Sequence, residues 1–425
     1  MEPGGENPIR ESRQRLEPTE RGVTFEPRGN WRGIRRRGLT FINLDALPLR
    51  YRLGQAYAVV QELEFAPPKD FRLELYADYL KLRDRLKFRK ELDVQVQDRP
   101  SAGPDESYLD AYSPRHFPKG KMLVLVDSNV YGSVKPSIDT YVIDLARDGY
   151  WADVYVVNGG TPPLLREFLQ EKSPIGAVLV GSIVVAWYDH EGDQFPCDLY
   201  YMDLDGTWSD TNGDGKFEGH TGDVGPEIWI SRIYTPTADG NDAALINDYF
   251  ARNHKFRSGQ LGHARSALSY VDDDWTGFAD CGFLNMFDSS VVTTYNTPIQ
   301  TDVDLYKAEI QSRRAWAQVC AHSWTMGHAL KVDTVNEYVD TPYFRDVNPP
   351  NAHFYNLFAC GPGRFTSADY LAGWYVFDKA AGGTNAGQTA VASAKTGSML
   401  FFEDFYTPMG AGKVIGDAYV DWWNA

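Results

Sequence analysis

From residue 121 onward, short and nearly continuous apolar runs alternate with longer stretches whose apolar residues recur at helical spacing. The run "KMLVLVD" at 121–127 is polar only at its ends, the composition of a strand buried on both faces. Residues 133–148 then set Ile138, Tyr141, Val142 and Leu145 on one side, which predicts a helix. "WADVYVV" at 151–157 is the next strand. "PPLLREFLQEK" at 162–172 places prolines at a helix start and carries Leu164, Leu165 and Phe168. "IGAVLVG" at 175–181 is the third strand. Strand, helix, strand, helix, strand predicts a parallel sheet with right-handed crossovers.

A polar insert at 189–225 interrupts the rhythm, which then resumes with strand 227–233, helix 242–256 and strand 265–271. Further strands are predicted at 289–295, 315–321, 353–359 and 388–394, with helices at 302–313 and 412–423. The expected fold class is α/β, a mainly parallel sheet with helices on both faces. A small β-rich N-terminal region precedes it. The expected domains are a polar tail at 1–30, a β-rich domain with its linker at 31–117, and an α/β unit at 118–425. Segment 71–88 reads equally as strand or helix.

Charge narrows the partners. The 425 residues carry a formal net charge of -16, yet the first forty hold nine Arg against six Glu and no Asp or Lys. An acidic body argues against general nucleic-acid binding, which needs a positive footprint. No apolar run is long enough for a membrane-spanning helix, and the start lacks a signal-peptide pattern. Cys197, Cys281, Cys320 and Cys360 are too few and too scattered for a disulfide scaffold, and no CxxC pair exists. No GxSxG elbow appears either, which argues against an α/β hydrolase built on serine.

Two strand ends carry candidate chemistry. "AWAQVCAHS" puts His322 just past one buried strand, and "HFYNLFACGPGRF" puts Cys360 just past another. Open α/β sheets place sites at that edge. Gly361 and Gly363 permit a tight turn there, and 366–377 reads as a helix capped by Thr366 or Ser367. A helix start near Cys360 would favour its anion. The plainer reading is an inert packed thiol and an ordinary polar histidine. Zinc on Cys320, His322, His328 and Cys360 matches no compact zinc spacing.

The insert is the other chemical feature. Asp203, Asp205, Asp210, Asn212, Asp214, Glu218 and Asp223 are dense enough to repel one another, and hard calcium favours such oxygen ligands. Asp210, Asn212 and Asp214 have the spacing of an EF-hand loop start, but Thr221 stands at its twelfth position, so this is no EF-hand. An acidic loop folded by Asx-turns is the alternative.

The Ala359–Cys360 pair, the Cys-x-x-Gly-x-Phe run of Cys360, Gly363 and Phe365, the segments 226–233 and 387–398, and His322 after a strand resemble the gingipain-like cysteine peptidases. That family belongs to the wider caspase-like and legumain-like fold group. The resemblance covers about 118–423, and more loosely a preceding domain around 30–38. It implies a cysteine endopeptidase with Cys360 as nucleophile, His322 as its partner, and Glu227 as an acid near the histidine. It implies an oxyanion site from the backbone N–H groups of Cys360 and Ser323. It further implies structural calcium, a protein or peptide substrate, a preference for Arg or Lys, and a secreted or cell-surface location.

One departure stands out. Ser323 follows the histidine, where the broad family usually has Gly. A catalytically inactive, calcium-dependent binding or structural module is therefore the alternative function. The basic run Arg35, Arg36 and Arg37 is a candidate processing site and the N-terminal region a candidate partner of the cleft in cis; a plain solvated tail or a structural β edge is the favoured reading.

Overall fold

A computed structural model describes residues 119–425, apart from 263, 279–281, 333–334 and 380–381, together with two strands nearer the N-terminus. The expected tail at 1–30, the Arg35–Arg37 run, Cys281 and most of the expected 31–117 domain lie outside the described residues. The two early strands are β1 (Val60–Leu63) and β2 (Asp70–Glu74).

The first βαβαβ unit follows the sequence pattern closely. It runs β3 (Gly120–Asp127), α1 (Ser128–Arg147), β4 (Tyr150–Asn158), α2 (Pro162–Lys172) and β5 (Gly176–Val180). Helix α1 begins five residues before the expected 133. Asp127 ends the strand and caps the helix at once, its Oδ1 accepting the Asn129 N–H at 3.0 Å. Its Oδ2 accepts from Ser182 N at 3.2 Å, tying β3 to the end of β5.

The insert folds as two hairpins and a helical turn: β6 (Trp187–His190), β7 (Asp193–Pro196), α3 (Leu199–Met202), β8 (Thr207–Ser209) and β9 (Gly219–Thr221). Then come β10 (Trp229–Ile233), α4 (Asp242–Arg257), β11 (Ala267–Val271), β12 (Val292–Tyr295), α5 (Val303–Ile310) and β13 (Arg314–Cys320). The chain ends with β14 (His322–Trp324), β15 (Gly327–Val332), β16 (Val335–Asp340), β17 (Ala352–Phe358), α6 (Leu371–Trp374), β18 (Thr389–Ala392), α7 (Phe402–Gly410) and α8 (Ile415–Asn424).

Among the described residues, eleven strands form two mainly parallel sheets, and the rest form small antiparallel ones. One has the order β1-β2-β4-β3-β5-β10, with the N-terminal pair added antiparallel to β4. The other, β12-β11-β13-β17-β18, is parallel throughout. This is the expected α/β class, with its parallel strands divided between two sheets.

In β13 the pleat sends Trp316 and Cys320 to a cluster with Phe405, Trp422 and Trp423 from α7 and α8. Ala317 and Val319 face the main core, with Tyr306 and Ile310 of α5. Both faces of this sheet are thus covered, which is why its strands read as unbroken apolar runs. Among the described residues no helix is long and apolar enough to cross a membrane.

Candidate active site

Register brings the two strand ends together. β13 and β17 are parallel neighbours, with Cys320 opposite Phe358. Ala321 N donates to Phe358 O at 3.2 Å just beyond that pair. His322 and Cys360 each stand two residues beyond that pair, at the carboxyl ends of adjacent strands.

Past this point the two ends differ. His322 begins β14, the edge of a small antiparallel sheet β14-β15-β16. Its ring is half exposed and its Nε2 lies 3.1 Å from Asp274 Oδ2. Lys331 Nζ donates to the other Asp274 oxygen at 2.8 Å. That bond first, and the one to His322 after it, hold the Asp274 carboxyl below its ordinary range. The Trp275 ring packs against the imidazole, 5.1 Å between centroids.

Cys360 opens an irregular loop. Gly361 adopts φ +77, a conformation natural to glycine, and its N–H donates to Lys395 O at 2.9 Å. Gly363 N donates to Ser393 O at 2.9 Å. A Cβ on Gly363 would come within 2.7 Å of the Ala392 carbonyl oxygen, so this close approach needs glycine. The Cys360 sulfur accepts from Gly397 N at 3.5 Å. The bonds made by His322 and Cys360 therefore go to Asp274 and Gly397, and none joins the two side chains.

Several expectations change here. Residues 361–370 form turns, and α6 begins only at Leu371 without a side-chain cap. Thr366 and Ser367 are not helix caps, and a single helical turn offers Cys360 little dipole. Glu227 is not the acid on the histidine. Its Oε2 accepts Leu204 N at 2.5 Å, inside the insert's carboxylate cluster. The acid on His322 is Asp274, from the "DDDW" that follows β11. A run of acids just past a buried strand was the available signal. Arg232 is structural: its guanidinium pairs with Asp198 and lies 4.8 Å from the Phe365 ring, joining the insert to the Cys360 loop.

Ser323 points away from the site. The pleat that exposes His322 turns the Ser323 hydroxyl inward, 2.5 Å from His328 Nδ1. His328 is bonded to Ser323 and Tyr375 and Cys320 faces the second core cluster, so among the described residues they do not gather with His322 and Cys360 as a zinc site. Cys197 and Cys360 are free thiols, Cys320 is buried, and burial pushes the Cys197 thiol up to about 12.

The insert's acids, joined by Glu227 from just beyond it, form two groups, each with ligand oxygens within 4.8 Å of one another. The first is Asp203, Asp205 and Glu227; the second is Asp210, Asp214 and Glu218. Asp203 is buried and accepts from Gly206 N at 2.6 Å and Trp208 Nε1 at 3.1 Å. Desolvation, then the fields of Asp205, Asp203 and Asp223, push Glu227 up to about 7. In the second group Asp210 accepts from Gly213 N and Gly215 N, and Asn212 from Asp214 N. These are the Asx-turns foreseen as the plainer reading. Glu218 Oε2 takes both donors of Thr211, while its Oε1 is buried with no hydrogen-bond partner. Asp223 accepts from Gly225 N at 3.3 Å and stands outside both groups.

No protein-family model matches the chain, and no curated protein matches it. Among solved structures, it is similar to the Arg-specific cysteine proteinase gingipain R, at 13% identity over 71% of each chain with a TM-score of 0.48. It is also similar to a complex of the RgpB pro- and mature domains from Porphyromonas gingivalis, at 13% identity over 69% of this chain and 68% of that one, with a TM-score of 0.44.

Proposed function

We propose that the chain is a cysteine endopeptidase working through Cys360 and His322. The observation that carries this reading is the parallel register of β13 and β17, which puts a thiol and an imidazole at matched positions past neighbouring strand ends. The Cys360 thiolate attacks the scissile carbonyl carbon and the C–N bond breaks, leaving an acyl-enzyme thioester. His322 takes the thiol proton and gives it to the departing amine. Water, deprotonated by the same ring, then releases the acid and restores the thiol. With Nε2 on Asp274, Nδ1 is the nitrogen left for the sulfur, and Asp274 takes the orienting role first expected of Glu227. The Gly361 N–H is committed to Lys395 O, so the oxyanion donors are assigned to the N–H groups of Cys360 and Ser323.

The two carboxylate groups suit calcium, with Asp203, Asp205 and Glu227 as one ligand set and Asp210, Asp214 and Glu218 as the other. The orphaned Glu218 Oε1 and the upward shift of Glu227 are features a divalent cation would relieve. Calcium would supply charge neutralisation and hold the insert; no catalytic step passes through it. Titration calorimetry should show binding, with a higher melting temperature in calcium. No heat and no shift at millimolar calcium would leave only the Asx-turn loop.

A non-catalytic binding module is the second reading, favoured by the separate engagement of His322 on Asp274 and Cys360 on Gly397. A positional-scanning peptide library decides between the two. Hydrolysis by the wild type that is absent in Cys360→Ala supports the peptidase. Absence of hydrolysis across the library supports the module.

A further inference from the structure

Behind the exposed His322 runs a buried polar chain that the proposed chemistry does not use. Ser323 and His328 face each other across β14 and β15, with Ser323 Oγ 2.5 Å from His328 Nδ1. His328 Nε2 lies 2.8 Å from the Tyr375 hydroxyl, and that hydroxyl bonds to Tyr306 of α5. His328, Tyr375 and Tyr306 have no exposed surface. Burial alone pushes His328 down to about 3, so the ring is neutral at ordinary pH. A neutral imidazole donates at one nitrogen and accepts at the other, which lets the whole chain be satisfied in a single direction.

The far end of this chain is the informative one. Tyr375 directly follows α6, and α6 is fastened to both candidate loops. Leu371 N donates to Thr325 O at 2.7 Å, in the turn after β14. Ala372 N donates to Pro362 O at 2.9 Å, in the loop after Cys360. One helical turn thus holds the histidine strand on one side and the cysteine loop on the other, and the His328–Tyr375 bond locks it onto β15.

We propose that His328 and Tyr375 are positioning residues, which set the His322 strand against the Cys360 loop and so fix the spacing of the reacting pair. The inference rests on the peptidase reading. Neither residue touches substrate. Their effect comes through placement, and an error of about 1 Å in the position of reacting groups costs roughly a hundredfold in rate.

The test compares Tyr375→Phe and Ser323→Ala with Tyr270→Phe in the full chain. Tyr270→Phe removes another buried hydroxyl, one that donates to Asp302 O at 2.6 Å and makes no bond in this chain, although its ring packs 5.0 Å from that of Tyr306. The readouts are kcat and KM on a library-selected peptide, the rate of Cys360 labelling by a peptidyl electrophile, and Tm. Tyr375→Phe and Ser323→Ala should each lower kcat and labelling about tenfold, with KM within about twofold. The double variant should lose little more than the worse single one, because both cut the same chain. Ser323→Thr, which keeps the hydroxyl, should recover most of the rate. Tyr270→Phe should lower Tm comparably and leave kcat near wild type. Wild-type kcat in Tyr375→Phe, or a loss no larger than that of Tyr270→Phe, overturns the inference alone. A wild type with neither turnover nor labelling overturns the peptidase reading and this inference with it.

Discussion

The strand end at His322 and the strand end at Cys360 start from the same register and are then held by opposite means. The histidine end continues as regular β structure, and its pleat does the sorting: His322 outward, Ser323 inward onto His328. The cysteine end abandons regular structure at once. It is strapped by backbone bonds from Gly361 and Gly363 to Lys395 and Ser393, at distances only glycine allows at 363. A pleated strand fixes direction through alternation and tolerates varied side chains. A strapped loop fixes position through close backbone approach and tolerates almost no added atom.

The largest test of this contrast is His322→Ala. It should lower peptide turnover roughly a hundred- to ten-thousand-fold, the usual worth of a general acid–base, with Tm nearly unchanged because the ring is half exposed. The inner face should respond to pH instead. The folded His328 titrates near 3 and an unfolded one near 6.5, so between those values the unfolded state binds more protons. Stability is therefore full above about pH 6.5 and falls as the pH drops toward 3, by about 1.4 kcal/mol per unit at most. Urea melts of wild type and His328→Gln across that window should show the slope flattened in the variant.

At the strapped end, Gly363→Ala forces a Cβ against the Ala392 carbonyl. The expected cost is about 1 to 3 kcal/mol in denaturant melts, accompanied by slower labelling of Cys360. Cys320→Ala removes a packed sulfur from the second core cluster. It should cost about 1 to 2 kcal/mol and spare turnover. The smallest effect on the chemistry belongs to Glu227→Gln, which should leave turnover at wild type and register only in calcium binding.

How much of this was legible in the sequence depends on the kind of interaction. The strands β3, β5, β13 and β17 were readable because burial on both faces leaves an unbroken apolar run. Their carboxyl ends, where His322 and Cys360 stand, followed from that, but the pairing of β13 with β17 did not. Helix α1 starts early because Asp127 serves two elements, which no helical periodicity announces. The β14-β15-β16 sheet went unread. Its strands are short, and its inner face buries His328 beside Leu330 and Val339, so alternation there is not a simple apolar and polar code. Asp274 as the acid on His322, in place of Glu227, depends on two segments meeting across β11 and β13. The run of acids after β11 marks the position, but nothing in the spacing along the chain pairs Asp274 with His322. The insert's Asx-turns were legible because Asp and Asn fold their own neighbours. The split of its acids into two groups was not, since Glu227 arrives from outside the insert.

The central claim is that Cys360 is a nucleophile served by His322. The most direct measurement is mass-spectrometric mapping of a peptidyl electrophile on the cysteines of the wild type and of His322→Ala, with rates at neutral pH. The account predicts a saturable adduct on Cys360, none on buried Cys320, and labelling at least about a hundredfold slower in His322→Ala. An adduct spread over several cysteines, or one on Cys360 that forms equally fast without His322, would contradict it.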